Sequence, residues 1–145
     1  MSSCAVESKS HHESRSPVVL LAEDDPAMRR LLWLSLMKDG FQVIDTSDGA
    51  ELSEWIRRLI VRAHDRWCVD LVIADQRMPS KTGLEVLAQL RHLDWSTPFI
   101  LITAFGDKAT HTEAARLGAS IVLDKPFDLA VLRTAVREFT THGVS

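Results

Sequence analysis

The chain has 145 residues, 46% of them apolar and 26% charged, with a formal net charge of -3. That length fits one domain able to bury roughly 70% of the surface its unfolded chain exposes, and the charge leaves no basic footprint for nucleic acid. No stretch approaches the ~18 consecutive apolar residues that span a bilayer, the N-terminus lacks a secretion-type apolar segment, and Cys4 and Cys68 form no disulfide framework, so the expectation is a soluble cytoplasmic protein with free thiols.

Residues 1–16, MSSCAVESKSHHESRS, are rich in Ser and charge and poor in large apolar groups, and are expected to form a disordered polar tail. His11, His12 and Cys4 have no fixed geometry there, so no dedicated metal site is expected of them. Strands are expected over 18–22 (VVLLA), 41–46 (FQVIDT), 69–74 (VDLVIA), 99–103 (FILIT) and 120–123 (SIVL). Three are apolar at nearly every position, as parallel strands covered on both faces require.

Helical spacing fills the intervals. The first helix is capped by Asp25 with Pro26 in its first turn, turns Met28, Leu31, Leu32 and Leu36 inward, and stops at Gly40. The second starts with Asp48 and Glu51 in a capping-box-like pair and aligns Leu52, Ile56, Leu59 and Ala63. The third repeats that start with Thr82 and Glu85 and carries Leu84, Leu87 and Leu90. The fourth, from Asp107 to Leu117 before Gly118, has little to bury and should be the least firmly held. The fifth begins at Asp128 and buries Leu129, Leu132, Val136 and Phe139.

Such alternation implies a parallel sheet between two helical layers, joined by right-handed crossovers. Ligands of such sheets bind beyond the carboxyl ends of the strands, where strand order reverses. At those ends stand Glu23, Asp24, Asp75, Thr103 and Lys125. Asp70 lies ~16 Å back along the third strand and reads as a strand-entry residue. Carboxylates ~4 Å apart repel by about 4 kcal/mol at an effective dielectric near 20, so the cluster calls for positive charge. Lys125 supplies one unit, and the hard oxygens suit Mg2+. Acids, a lysine and a hydroxyl around one carboxylate make a phosphoryl-transfer site, with Asp75 as the economical nucleophile.

Four segments now carry a resemblance. LLAEDDPAMRRLL, DLVIADQRMPSKTGLE, ILITAFG and LDKPF are similar, in order, to the motifs of the receiver domain of bacterial two-component response regulators. The likeness covers essentially all of residues 17 to 140 and assigns 17–145 to that domain. It implies a flavodoxin-like (βα)5 doubly wound parallel sheet of strand order 2-1-3-4-5. It also implies that Asp75 accepts a phosphoryl group from a histidine kinase or phosphotransfer protein. Asp24 and Asp75 would bind Mg2+ with the backbone carbonyl of Arg77, and Glu23 would act through a metal-bound water. Thr103 and Lys125 would contact the phosphoryl oxygens, and the Lys125-Pro126 bond would be cis. The domain would catalyse only its own phosphorylation and dephosphorylation, and its fourth helix, fifth strand and fifth helix would engage a downstream protein. No DNA-binding output module and no membrane or nucleic-acid partner are expected in this chain; the alternative is a fragment cut from a longer regulator or hybrid kinase.

The sequence departs from the family at the switch position three residues before the lysine. Many receivers have an aromatic there; this chain has Val122, stiff and without a polar tip. That keeps open a second class, an interaction module that is never phosphorylated. A third, an aspartyl-phosphate hydrolase similar to haloacid dehalogenases, would want an acid two places after Asp75, where Arg77 stands. Asp25 is assigned to the helix cap, Met78 and Phe127 to packing, and Trp55 and Trp67, in a longer segment than the family pattern, to covering the sheet. Arg77 and Phe105 are expected to flank the mouth of the site, where their bulk would restrict hydrolytic water or simply meet solvent.

Overall fold

A computed structural model of the chain describes residues 16–61 and 69–141. The expected tail up to residue 15, with Cys4, His11 and His12, lies outside the described residues, as do Ala63, Trp67 and Cys68. Among the described residues five strands, β1 (Val18–Ala22), β2 (Gln42–Thr46), β3 (Leu71–Asp75), β4 (Phe99–Ala104) and β5 (Ile121–Lys125), alternate with five helices, α1 (Pro26–Lys38), α2 (Gly49–Val61), α3 (Gly83–His92), α4 (Lys108–Arg116) and α5 (Leu129–Thr141). The strands form one sheet in the order β2-β1-β3-β4-β5, with every neighbouring pair parallel.

Strand order reverses between β1 and β3. The chain leaves β1 toward the β2 edge and returns across it to β3, so the crevice between their carboxyl ends is where helices diverge and a ligand can enter. Two strands run further than their apolar runs suggest. Asp75 pairs with Ile102 and Lys125 with Ala104, which makes both charged residues the last members of their strands. Backbone pairing is indifferent to side-chain polarity, so the ladder continues past the point where hydrophobic pattern stops.

Alternating side chains divide the core into two layers. Leu20, Val72, Phe99 and Leu101 meet Leu52 and Ile56 of α2, Val86, Leu87 and Leu90 of α3, and Ala114 of α4. On the other face Val19, Leu21, Ile73 and Ile100 meet Leu32 and Leu36 of α1 and Leu132, Ala135 and Val136 of α5. The first helix differs in one position from expectation: Leu31 is 47% exposed beside the similarly exposed Leu34. The buried stripe of α1 runs Met28, Leu32, Leu36 at a spacing of four, and Leu31 sits about 100° away from Leu32 around the helix.

Local signals act as read. Asp25 caps α1 by accepting from the Ala27 N–H at 3.1 Å. Thr82 and Glu85 form a reciprocal capping box at the start of α3. Gly40 and Gly118 take the positive φ values that end α1 and α4. Asp70 ties the entry of β3 to that of β1, accepting from Val18 N at 2.7 Å while its own N–H donates to Val18 O at 2.8 Å. Trp55 packs on the α2 layer of the core with the Arg58 guanidinium 5.5 Å from its ring centre. Met78 is buried, and Phe127 packs against the α1 and α5 layer.

Candidate functional site

The end of β3 is held by the start of α3. Gly83 lies so close to it that a Cβ would come within 2.8 Å of the Asp75 carbonyl oxygen and 2.6 Å of Leu101 Cδ1. Gln76 reinforces the approach: its backbone oxygen accepts from Gly83 N at 3.2 Å and its side-chain Oε1 from Leu84 N at 2.9 Å. Asp75 is therefore fixed at the sheet edge with its carboxylate 95% shielded, given a side-chain exposure of 5%. Oδ1 accepts from Arg77 N at 3.0 Å and Oδ2 from Lys125 Nζ at 2.5 Å. The Lys125-Pro126 peptide that turns the chain away from this contact is cis.

Beyond β1, Glu23 extends the pairing with β2 by donating its N–H to Thr46 O at 3.1 Å. Arg29 of α1 donates to the Glu23 carbonyl at 2.9 Å and pairs with Asp45 at 3.4 Å, which locks the loop onto β2. Glu23 is fully buried, whereas Asp24 is exposed. Glu23 Oε2 accepts from Asp25 N at 3.1 Å. Its Oε1 has no hydrogen-bond partner, and the nearest cation, Lys125 Nζ, is 3.5 Å away.

One carboxylate oxygen from each of Glu23, Asp24 and Asp75 lies within 4.8 Å of the others. Burial first, and then the charge of Asp75, push the Glu23 carboxyl up to about 7 against the pull of the Asp25 N–H. Burial also draws the Lys125 ammonium down, but the hydrogen bond and charge of Asp75 and the charge of Glu23 leave it above its ordinary value. One lysine does not balance three acids. An orphaned buried carboxylate oxygen in an all-oxygen donor set fits a small hard divalent cation, which would supply the missing charge.

An open cleft of about 500 Å³ covers this edge, lined by Asp24, Asp75, Arg77, Thr103, Phe105 and Lys125. Every residue read from the sequence as a strand-end candidate is in it except Glu23, which lies buried. Arg77 is exposed, and Phe105 is 81% exposed at the lip. The lining also includes Gln76 and Ala104, which the sequence does not mark, and Thr82 and Asp107, which it marks only as helix starts. Asp107 was legible only as a helix start, yet it sits one turn after Thr103 and accepts the Thr103 hydroxyl at 3.2 Å. Val122 is half-buried against the α2, α3, α4 layer and pairs in register with Leu101.

Residues 19–137 match the response regulator receiver domain family. The chain is 33% identical over 118 residues to the transcriptional regulatory protein GlrR of Escherichia coli (strain K12), a match covering 81% of this chain and 25% of that protein. It is 29% identical over 121 residues to sporulation initiation phosphotransferase F of Bacillus subtilis (strain 168), covering 83% of this chain and 91% of that protein. The chain thus spans about a quarter of the length of the first curated relatives it matches. In fold it is similar to the receiver domain of the Francisella response regulator 1452, with a TM-score of 0.77 at 24% identity over 88% of this chain and 98% of that one. It is also similar to the response regulator protein TrrA of Thermotoga maritima, solved in complex with Mg2+ and BeF, with a TM-score of 0.68 at 24% identity over 85% of this chain and 98% of that one.

Proposed function

The chain belongs to the response regulator receiver domain family, a family of phosphorylation-based signalling, and from that premise we propose that Asp75 is its phosphoacceptor in a Mg2+-dependent reaction. The observation that carries this reading is the convergence on Asp75 of Lys125 Nζ at 2.5 Å and of Glu23, whose second oxygen is buried without a donor. Asp24 and Asp75 would hold the cation directly with the backbone carbonyl of Arg77, and Glu23 through a water. When bound, Mg2+ supplies charge that balances the acids and the incoming phosphoryl oxygens. TrrA, with its bound Mg2+ and BeF, is in keeping with that assignment.

A carboxylate oxygen of Asp75 attacks phosphorus as the donor's bond to phosphorus breaks; the new P–O bond makes a mixed anhydride, and the departing group leaves with the bonding electron pair and takes its proton from solvent. With a phosphohistidine donor the broken bond is P–N and imidazole leaves. Lys125, freed from its contact with the Asp75 oxygen, then holds a phosphoryl oxygen, and the Thr103 hydroxyl donates to another. Attack of water on phosphorus returns the carboxylate and releases inorganic phosphate. Arg77 and Phe105 at the cleft mouth limit that water. The donor is a histidine kinase or histidine phosphotransfer protein, and the face built by α4, β5 and α5 engages the downstream protein.

Intact-mass measurement after incubation with Mg2+ and a small phosphodonor tests the assignment. Wild type gains one phosphoryl mass, and Asp75→Ala or omission of Mg2+ abolishes the gain. Equal labelling of wild type and Asp75→Ala refutes it.

A further inference from the structure

The Thr103 hydroxyl has a single proton, and it is engaged away from Asp75. Thr103 is buried, and its Oγ1 donates to Asp107 Oδ2 at 3.2 Å. The same carboxylate caps α4: Oδ1 accepts from Thr110 N at 3.2 Å and Oδ2 from Thr110 Oγ1 at 2.6 Å. Asp107 also lines the cleft that Asp75 faces. A hydroxyl donating to Asp107 cannot donate at the same time to a phosphoryl oxygen on Asp75.

The two ends of α4 are held differently. At the far end, Arg91 of α3 donates to Leu117 O at 3.1 Å and Gly118 O at 2.9 Å. Mid-helix, His111 Nε2 meets Asp124 Oδ1 of β5 at 2.7 Å, and Ala114 is buried in the core. The first turn depends on Asp107. Resting on the phosphoacceptor reading of Asp75, we infer that Asp107 is a positioning residue: it holds the Thr103 hydroxyl off the phosphoryl position. Phosphoryl uptake then withdraws that hydroxyl and loosens the first turn of α4 while the last turn stays pinned. The phosphoryl group's negative charge enters the same cleft as the Asp107 carboxylate, so repulsion acts in the same direction. This route to α4 needs no aromatic at position 122, where the chain carries Val122.

The test is a double-mutant cycle read by binding of beryllofluoride, a phosphoryl mimic, in the presence of Mg2+. Asp107→Ser keeps a helix cap able to accept from Thr110 N, but its side chain is too short to reach the Thr103 hydroxyl. Asp107→Ser binds beryllofluoride roughly three- to tenfold more tightly than wild type, and the gain vanishes in a Thr103→Ala background. No gain, or the same gain in both backgrounds, marks Asp107 as a cap only and overturns the inference. Failure of wild type itself to bind beryllofluoride with Mg2+ removes the phosphoacceptor reading as well, so the two failures are told apart.

Amide hydrogen exchange on the wild-type chain serves even where the variant does not fold. Beryllofluoride with Mg2+ speeds exchange at Thr110 and His111 and leaves Leu117 and Gly118 unchanged. A uniform response along α4, or none, overturns the inference.

Discussion

Replacing Glu23 by Gln should make the metal-free protein more stable at pH 8, although the residue is fully buried in the candidate site. The Glu23 carboxyl titrates at about 7 in the folded chain against an ordinary 4.5. Its folded value is raised, so the folded state binds the proton more tightly than the unfolded one. The associated stability is fully present below pH 4.5 and is lost as pH rises through about 7. At ~1.4 kcal/mol per pH unit the loss across that interval is about 3 kcal/mol. Gln cannot ionise and gives up only the weak attraction to Lys125 Nζ at 3.5 Å. Its oxygen still accepts from the Asp25 N–H, and its amide can donate toward Asp75.

The assay is urea unfolding in EDTA at fixed ionic strength from pH 5 to pH 8, with wild type and Glu23→Gln compared at each pH so that other titrating groups cancel. The variant should match wild type within about 0.5 kcal/mol near pH 5 and exceed it by about 2 kcal/mol at pH 8. On the proposed Mg2+ reading the cation favours the ionised Glu23, so added Mg2+ should restore wild type more at pH 8 than at pH 5.5, and should stabilise the variant with little dependence on pH because Asp24 and Asp75 remain. A stability difference that stays flat with pH would show that burial and Asp75 do not strain Glu23, and the electrostatic argument for a cation would fall with it.

Gly83→Ala should cost about 2 kcal/mol, because the added Cβ would come within 2.8 Å of the Asp75 carbonyl and one or the other must move; thermal denaturation measures the cost, and unchanged stability would mean that α3 does not fix the strand end. Arg91→Ala should destabilise by about 2–4 kcal/mol, since one guanidinium serves the carbonyls of Trp95, Thr97, Leu117 and Gly118. Arg91→Lys should recover less than half of that in urea unfolding, because a single ammonium cannot span the fork.

The strand and helix order was legible because parallel strands buried on both faces read as unbroken apolar runs, and because Asp25, Thr82, Gly40 and Gly118 punctuate the helices between them. Strand ends were less legible: hydrophobic pattern stops at Ala74 and Leu123, whereas the ladder carries on to Asp75 and Lys125. Leu31 misled because it follows Met28 by three residues and adjoins Leu32, so its spacing fits an inward stripe that the helix turns away from. Within the site, residue types at strand ends located Glu23, Asp24, Asp75, Thr103 and Lys125, but not what each one touches. That Glu23 is buried and Asp24 exposed depends on the direction in which the chain leaves β1. Arg29 helps to fix that direction by reaching the Glu23 carbonyl from α1.

The remaining gap is Asp107, and its cause is general. A helix-capping aspartate declares itself by position before an amphipathic stretch, and that sufficient local explanation conceals any second partner. The second partner here is Thr103, which precedes it by one turn and ends the buried part of β4. The pairing follows from topology: β4 must end beside β3 for Thr103 to lie near Asp75, and α4 must start at once for its cap to reach back. The residue that would sense the phosphoryl group and the residue that holds the helix are thus joined by one hydrogen bond. Because α4 buries only Thr110 and Ala114, a change in that one bond is large relative to what else holds its first turn.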